Sequence, residues 1–110
     1  MTDLEDTLAF QLDALSIPYT REYQAIPNRR FRFDFAIEPI AETRLLIEVQ
    51  GGTWGRTRSG HSTGSGIQRD CEKHNLAVLA GFRVLMFTSK DVKSGVALAE
   101  IQEAYDRQSK

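Results

Sequence analysis

The chain of 110 residues contains one cysteine, three prolines and no apolar run long enough to cross a bilayer. The lone Cys71 excludes an internal disulfide framework, and the N-terminus lacks the apolar core of a signal peptide. A reducing, cytoplasmic setting without membrane attachment is therefore expected. Internal repeats and heptad arrays are also missing, and no Gly-Lys-Ser/Thr ending marks a nucleoside-triphosphate loop. A net charge of −1 excludes a uniformly basic nucleic-acid coat. That balance hides segregation. Met1 to Pro18 carries only acids, whereas Tyr19 to Phe33 holds Arg21, Arg29, Arg30 and Arg32 against the single Glu22.

What is present is enough for one modest core, since 41% of the residues are hydrophobic. One domain over 1–110 is expected. Leu4, Leu8, Leu12 and Leu15 recur at helical spacing until Pro18 closes the run. Tyr19 to Ala25 and Phe31 to Ile37 read as strands, with Phe31, Phe33 and Phe35 on one face, and Pro39 to Thr43 turns the chain into a third strand. The sixteen residues Gly51 to Gly66 have no apolar periodicity, and a loop that long in a small domain is usually functional. From Ile67 a helix runs to Gly81, its stripe of Ile67, Cys71, His74 and Val78 making Cys71 a core residue. Phe82 to Thr88 reads as a buried strand, and Leu98, Ile101 and Tyr105 mark a last helix. Helices separated by strands, one strand arriving over a helical crossover, imply a mixed α/β sheet covered by helices.

The third strand, LLIEVQGG from Leu45 to Gly52, poses a chemical problem. Period-two alternation sets Leu45, Ile47 and Val49 against Leu46, Glu48 and Gln50, so Glu48 is surrounded by apolar neighbours. A carboxylate there must be paired, hydrogen-bonded, metal-bound or protonated, because burying it bare costs several kcal/mol. If the second and third strands form a hairpin with Glu38 near Arg44, Asp34 lies opposite Glu48 with β-carbons roughly 5 Å apart. A divalent cation between them would turn that repulsion into a binding site. Otherwise one of the pair is a solvated strand residue.

FDFA (Phe33 to Ala36), LLIEVQGG, His61, Asp70-x-x-Lys73-x-Asn75-x-Ala77 and Gly81-Phe82-Arg83-Val84-Leu85 together resemble the PD-(D/E)xK nuclease superfamily. Within it, the likeness is to small phage and bacterial endonuclease-like domains related to very-short-patch-repair enzymes and Holliday-junction resolvases, hence to DNA repair and recombination. The resemblance covers nearly the whole chain and implies a restriction-endonuclease-like αβββαβ core, here with an extra C-terminal helix. It further implies that Asp34 and Glu48 hold Mg²⁺, with Mn²⁺ able to substitute, helped by the carbonyl of Val49 and by Glu5. One position departs. The motif lysine is Gln50, which can hydrogen-bond the attacking water but cannot offset phosphate charge. Lys73, on the following helix, resembles the displaced lysine of some members.

Each remaining candidate has a plainer alternative. Glu5 could instead close a capping box with Thr2, and Asp70 with Lys73 could be an ordinary helix pair. His61 could relay a proton at the scissile phosphate or be a solvated loop residue, and Trp54 could stack on a base or pack on the fold edge. Gly64-Ser65-Gly66 leads into a helix N-terminus suited to an anion. A zinc site from His61, Cys71 and His74 lacks a fourth ligand and a finger-like spacing. Arg21, Arg29, Arg30, Arg32, Arg56 and Arg58 form the expected clamp on the DNA backbone. The expectation is a metal-dependent endonuclease acting on branched or double-stranded DNA, with a two-fold dimer fitting a branched substrate. The rival is a DNA-binding accessory protein that keeps the fold and has lost its chemistry through Gln50.

Overall fold

The computed structural model describes residues 3–50 and 64–108. The chain opens with helix α1, Leu4–Ala14, which buries Leu8, Ala9 and Leu12. Its N-cap is Asp3, whose carboxylate accepts the Asp6 amide at 2.8 Å. A charged acceptor thus stands at the positive helix end, and Thr2, the partner of Glu5 in the alternative capping box, lies outside the described residues. Ser16, at φ 57°, turns the chain back so that Ile17 is buried.

Strands β1 (Tyr19–Tyr23), β2 (Phe33–Ile37) and β3 (Leu45–Val49) form an antiparallel meander, with the short helix α2 (Ile40–Thr43) between the last two. Helix α3 (Gly64–Leu79) then crosses over, and β4 (Arg83–Phe87) pairs parallel to β3. Helices α4 (Ser89–Ser94) and α5 (Val96–Gln108) complete the order. The sheet runs β1-β2-β3-β4, a mixed four-stranded sheet with helices on its faces. This is the expected αβββαβ arrangement with a trailing helix, plus the two short helices α2 and α4. Among the described residues, no helix is long and apolar enough to cross a membrane.

Two apolar clusters lie on opposite sides of the sheet. Phe35, Ile37, Leu45, Ile47 and Phe87 pack with Leu8 and Leu12 of α1, Val92 of α4, and Ala97 and Ile101 of α5. Ile26, Phe33, Ala36, Leu46 and Phe82 pack with Ala77 of α3. Phe33 and Phe35 therefore do not share a face as alternation predicts. The pleat breaks at Asp34, beside Glu22 of β1, whose φ of 52° interrupts the extended chain.

Two other expectations fail for reasons of position. Phe82 to Thr88 is not a buried central strand, because β4 lies at the sheet edge and leaves Met86 47% exposed. Cys71 is not in the core. It is exposed along with Ile67 and Val78, while α3 turns Ala77 inward.

Thr43 fixes how β3 enters the sheet. Fully buried, its hydroxyl donates to the Ile37 carbonyl and accepts the Leu45 amide at 3.2 Å, and its carbonyl accepts Arg83 Nη2 at 2.7 Å. The side chain thus ties the end of β2 to the start of β3. Thr43→Val keeps the shape but leaves two buried polar groups unpaired, at a cost of about 1–3 kcal/mol. Urea unfolding should show a lower midpoint with an unchanged slope. An unchanged midpoint would mean that the hydroxyl does not hold the hairpin.

Candidate metal and nucleic-acid site

The β2–β3 register pairs Phe35 with Ile47 and Ile37 with Leu45, so one further step sets Asp34 opposite Glu48. Two bonds fix that end of the hairpin. The Asp34 amide donates to Glu48 Oε1 at 3.2 Å, and the Val49 amide donates to Asp34 Oδ2 at 2.7 Å. Val49 therefore meets the acid through its N–H.

Further acids arrive from α1 and β1. Carboxylate oxygens of Glu5, Glu22 and Asp34 lie within 4.8 Å of one another. Arg21 answers from the neighbouring position on β1. Its guanidinium pairs with Glu5 at 3.4 Å and Asp6 at 3.1 Å, and lies 5.4 Å from the centre of the Phe35 ring. Burial pushes the Asp34 carboxyl up to about 6; the Val49 N–H opposes the rise and the Glu48 charge adds to it. Glu5 is raised as well, by burial and by Asp34, against the pull of Arg21. Hard oxygen donors this close, with the charged form of one penalised, fit a divalent cation, which would reverse that penalty.

On the other face, Lys73 of α3 reaches down to Glu48 Oε2. Both side chains are mostly buried, and the ammonium lies 4.6 Å from the centre of the Phe33 ring. Asp70, one turn earlier, lines a small recess with Glu48, Gln50, Lys73 and His74. Lys73 is thus bound to the strand carboxylate and not to Asp70, the partner in the plainer alternative. Gln50 is exposed just past the end of β3, where its backbone N–H donates to the Phe87 carbonyl at 2.7 Å.

The arginines divide. Arg21 belongs to the acid cluster. Arg29 pairs with Glu72 at 2.5 Å and lies 4.8 Å from the centre of the Phe31 ring, while Arg30 and Arg32 are exposed. Arg29, Arg30 and Phe31 face Gln68, Arg69 and Glu72 of α3 across an open groove of about 710 Å³. Trp54, Arg56, Arg58 and His61 lie outside the described residues.

Glu22 and Arg69 are the two residues that sequence reasoning missed. The β1–β2 register, which pairs Arg21 with Phe35 and Tyr23 with Phe33, sets Glu22 beside Asp34. That pairing was the available signal for Glu22. Arg69 sits one turn before Glu72 on α3, a spacing that reveals nothing until Arg29 is seen to meet Glu72.

No family model matches the chain, and no curated protein does. Among solved structures, the chain is similar to the "Homing Endonuclease I-Bth0305I Catalytic Domain". The TM-score is 0.72 over 98% of this chain and 98% of that one, at 19% identity. The likeness is one of fold.

The raised Asp34 carboxyl has a consequence for stability. Unfolded, the group titrates at its ordinary 3.8; folded, it holds its proton to about 6. Between those values the folded state binds more protons, so stability should fall as pH rises through the window and then level off. Asp34→Asn should flatten that fall. Melting temperatures between pH 3.5 and 7.5 in chelator test this, and equal profiles for the two proteins would refute it.

Proposed function

We propose that this protein is a metal-dependent DNA endonuclease of PD-(D/E)xK type that hydrolyses phosphodiester bonds. The carrying observation is the Lys73–Glu48 pair, which brings a cation from α3 to the carboxylate whose own strand offers only Gln50. The fold likeness to a homing endonuclease catalytic domain supports the reading.

Asp34 and Glu48, with Glu5 beside them, would hold the metal. A divalent cation, Mg²⁺ or Mn²⁺ in its stead, would supply an activated water and screen phosphate charge. Lys73 orients that water and offsets negative charge as it builds on the phosphoryl oxygens. Gln50 accepts or donates a hydrogen bond to the same water from the strand end. Water would add to phosphorus as the bond to the leaving oxygen breaks, the proton lost by the water balancing the one that the leaving oxygen gains. Arg29, Arg30 and Arg32 hold the DNA backbone, a part that the sequence also assigns to Arg56 and Arg58, with His61 at the scissile phosphate. The reading includes recognition of DNA shape, as in branched DNA bound by a two-fold dimer.

Labelled linear, nicked, flapped and four-way DNA should be cut with Mg²⁺ or Mn²⁺, the branched forms fastest, and left intact in chelator. Glu48→Ala should abolish cutting in a protein that still melts cooperatively. A folded Glu48→Ala protein cutting at the wild-type rate would sink the assignment. Binding without cutting by the wild type would instead favour the accessory DNA-binding protein.

Lys73 has its own test. Lys73→Ala should slow single-turnover cleavage about a hundredfold with little loss of DNA affinity, and adding Gln50→Lys should restore part of the rate. Unchanged cleavage by Lys73→Ala would reduce the residue to a structural partner of Glu48.

A further inference from the structure

The groove between the β1–β2 connection and α3 is a built feature that the hydrolytic chemistry does not use. Arg29, Arg30 and Phe31 form one wall; Gln68, Arg69 and Glu72 form the other. Three guanidinium groups against one carboxylate leave it net cationic. It is an open groove of about 710 Å³, large enough for a nucleotide-sized group. An aromatic ring and a primary amide sit among the charges. That mixture suits an unpaired nucleotide, which offers a phosphate, a π face and hydrogen-bonding edges together.

Resting on the nuclease reading above, we propose that this groove binds a single-stranded stretch of the DNA substrate. Arg30 and Arg69 take the phosphates, and Gln68 meets a base edge. Phe31 supports the stacked base, one side of its ring being covered by Arg29. Glu72 has a distinct part. In the free protein its carboxylate holds Arg29 at 2.5 Å, the position that a phosphate oxygen takes when the strand enters. The strand displaces Glu72 from Arg29, so Glu72 weakens binding to the free groove and keeps Arg29 oriented until then. The inference accounts for an arginine that is otherwise neutralised on a face expected to grip DNA.

Fluorescence anisotropy in chelator, so that no strand is cut, tests the groove. The probes are a labelled single-stranded oligonucleotide and the corresponding blunt duplex, each titrated across a series of salt concentrations. Arg69→Ala should weaken single-strand binding and lower the salt slope by about 0.7, the value for one phosphate contact on a single strand. Glu72→Gln should tighten it and steepen the slope by a similar amount, because Arg29 is freed. Phe31→Leu, a change that keeps an apolar side chain for folding, should weaken single-strand binding about tenfold, as for one lost stacking contact, and leave the duplex almost unaffected. Equal effects on both probes would overturn the single-strand assignment. Wild-type binding that is indifferent to Arg69→Ala and Glu72→Gln would overturn the groove alone and leave the nuclease reading standing. Wild-type protein that binds neither probe would overturn both.

Discussion

Carboxylates from one helix and three strands meet at one end of this sheet, and their mutual repulsion is the constraint around which the surrounding side chains are arranged. Asp34 lies between Glu22 and Glu5 on one side and Glu48 on the other. Nothing in the packing of Leu8, Phe35 and Ile47 requires acids there. Each acid that is drawn out of water is met by a compensating group: Arg21 for Glu5, the Val49 amide for Asp34, Lys73 for Glu48. The compensation is uneven, and Asp34 carries the deficit, as its raised proton affinity records. A site with that imbalance is less stable than an apolar one of the same shape, which is the usual mark of residues kept for chemistry.

Much of this arrangement was legible in the sequence. The alternation of LLIEV and the Glu38–Arg44 turn were enough to set Asp34 opposite Glu48, because register in a half-buried hairpin is tightly specified. Lys73 could be singled out because Gln50 left a cation position to be filled. The features that escaped are those decided by tertiary packing. The Ile67–Cys71–Val78 stripe has the spacing of a core face, yet the face that carries Lys73 to Glu48 and Ala77 to Leu46 turns inward. An ion pair and a cation–π contact outweighed apolar periodicity. Glu22 was hidden because strand alternation assumes extended backbone, and the break at φ 52° falls on that residue.

The fold persists at 19% identity to a solved homing endonuclease catalytic domain. The physical requirements are correspondingly loose. Two apolar clusters, a hairpin of fixed register and a helical crossover are satisfied by many sequences of similar pattern. The polar ties are more particular. Arg44, in the left-handed region at φ 48°, donates to the Ala80 carbonyl at 2.5 Å and lies 3.9 Å from the centre of the Phe82 ring, fastening the start of β3 to the end of α3. Gly81, at φ 95°, passes so close that an added β-carbon would meet Arg44 Nη2 at 3.3 Å.

The topology also draws the two halves of the site from different ranges of the chain. Glu22, Asp34 and Glu48 come from a meander whose pairings are local along the chain, while Glu5 is carried by α1, which also packs on α4 and α5. Lys73 arrives only when the crossover helix docks and β4 pairs with β3 in parallel, a contact of much longer sequence separation that closes slowly. A chain with the meander formed and the crossover undocked gathers the acids without their lysine. A substitution that loosens α3 would therefore leave the strand acids in place and strip them of their compensating charge.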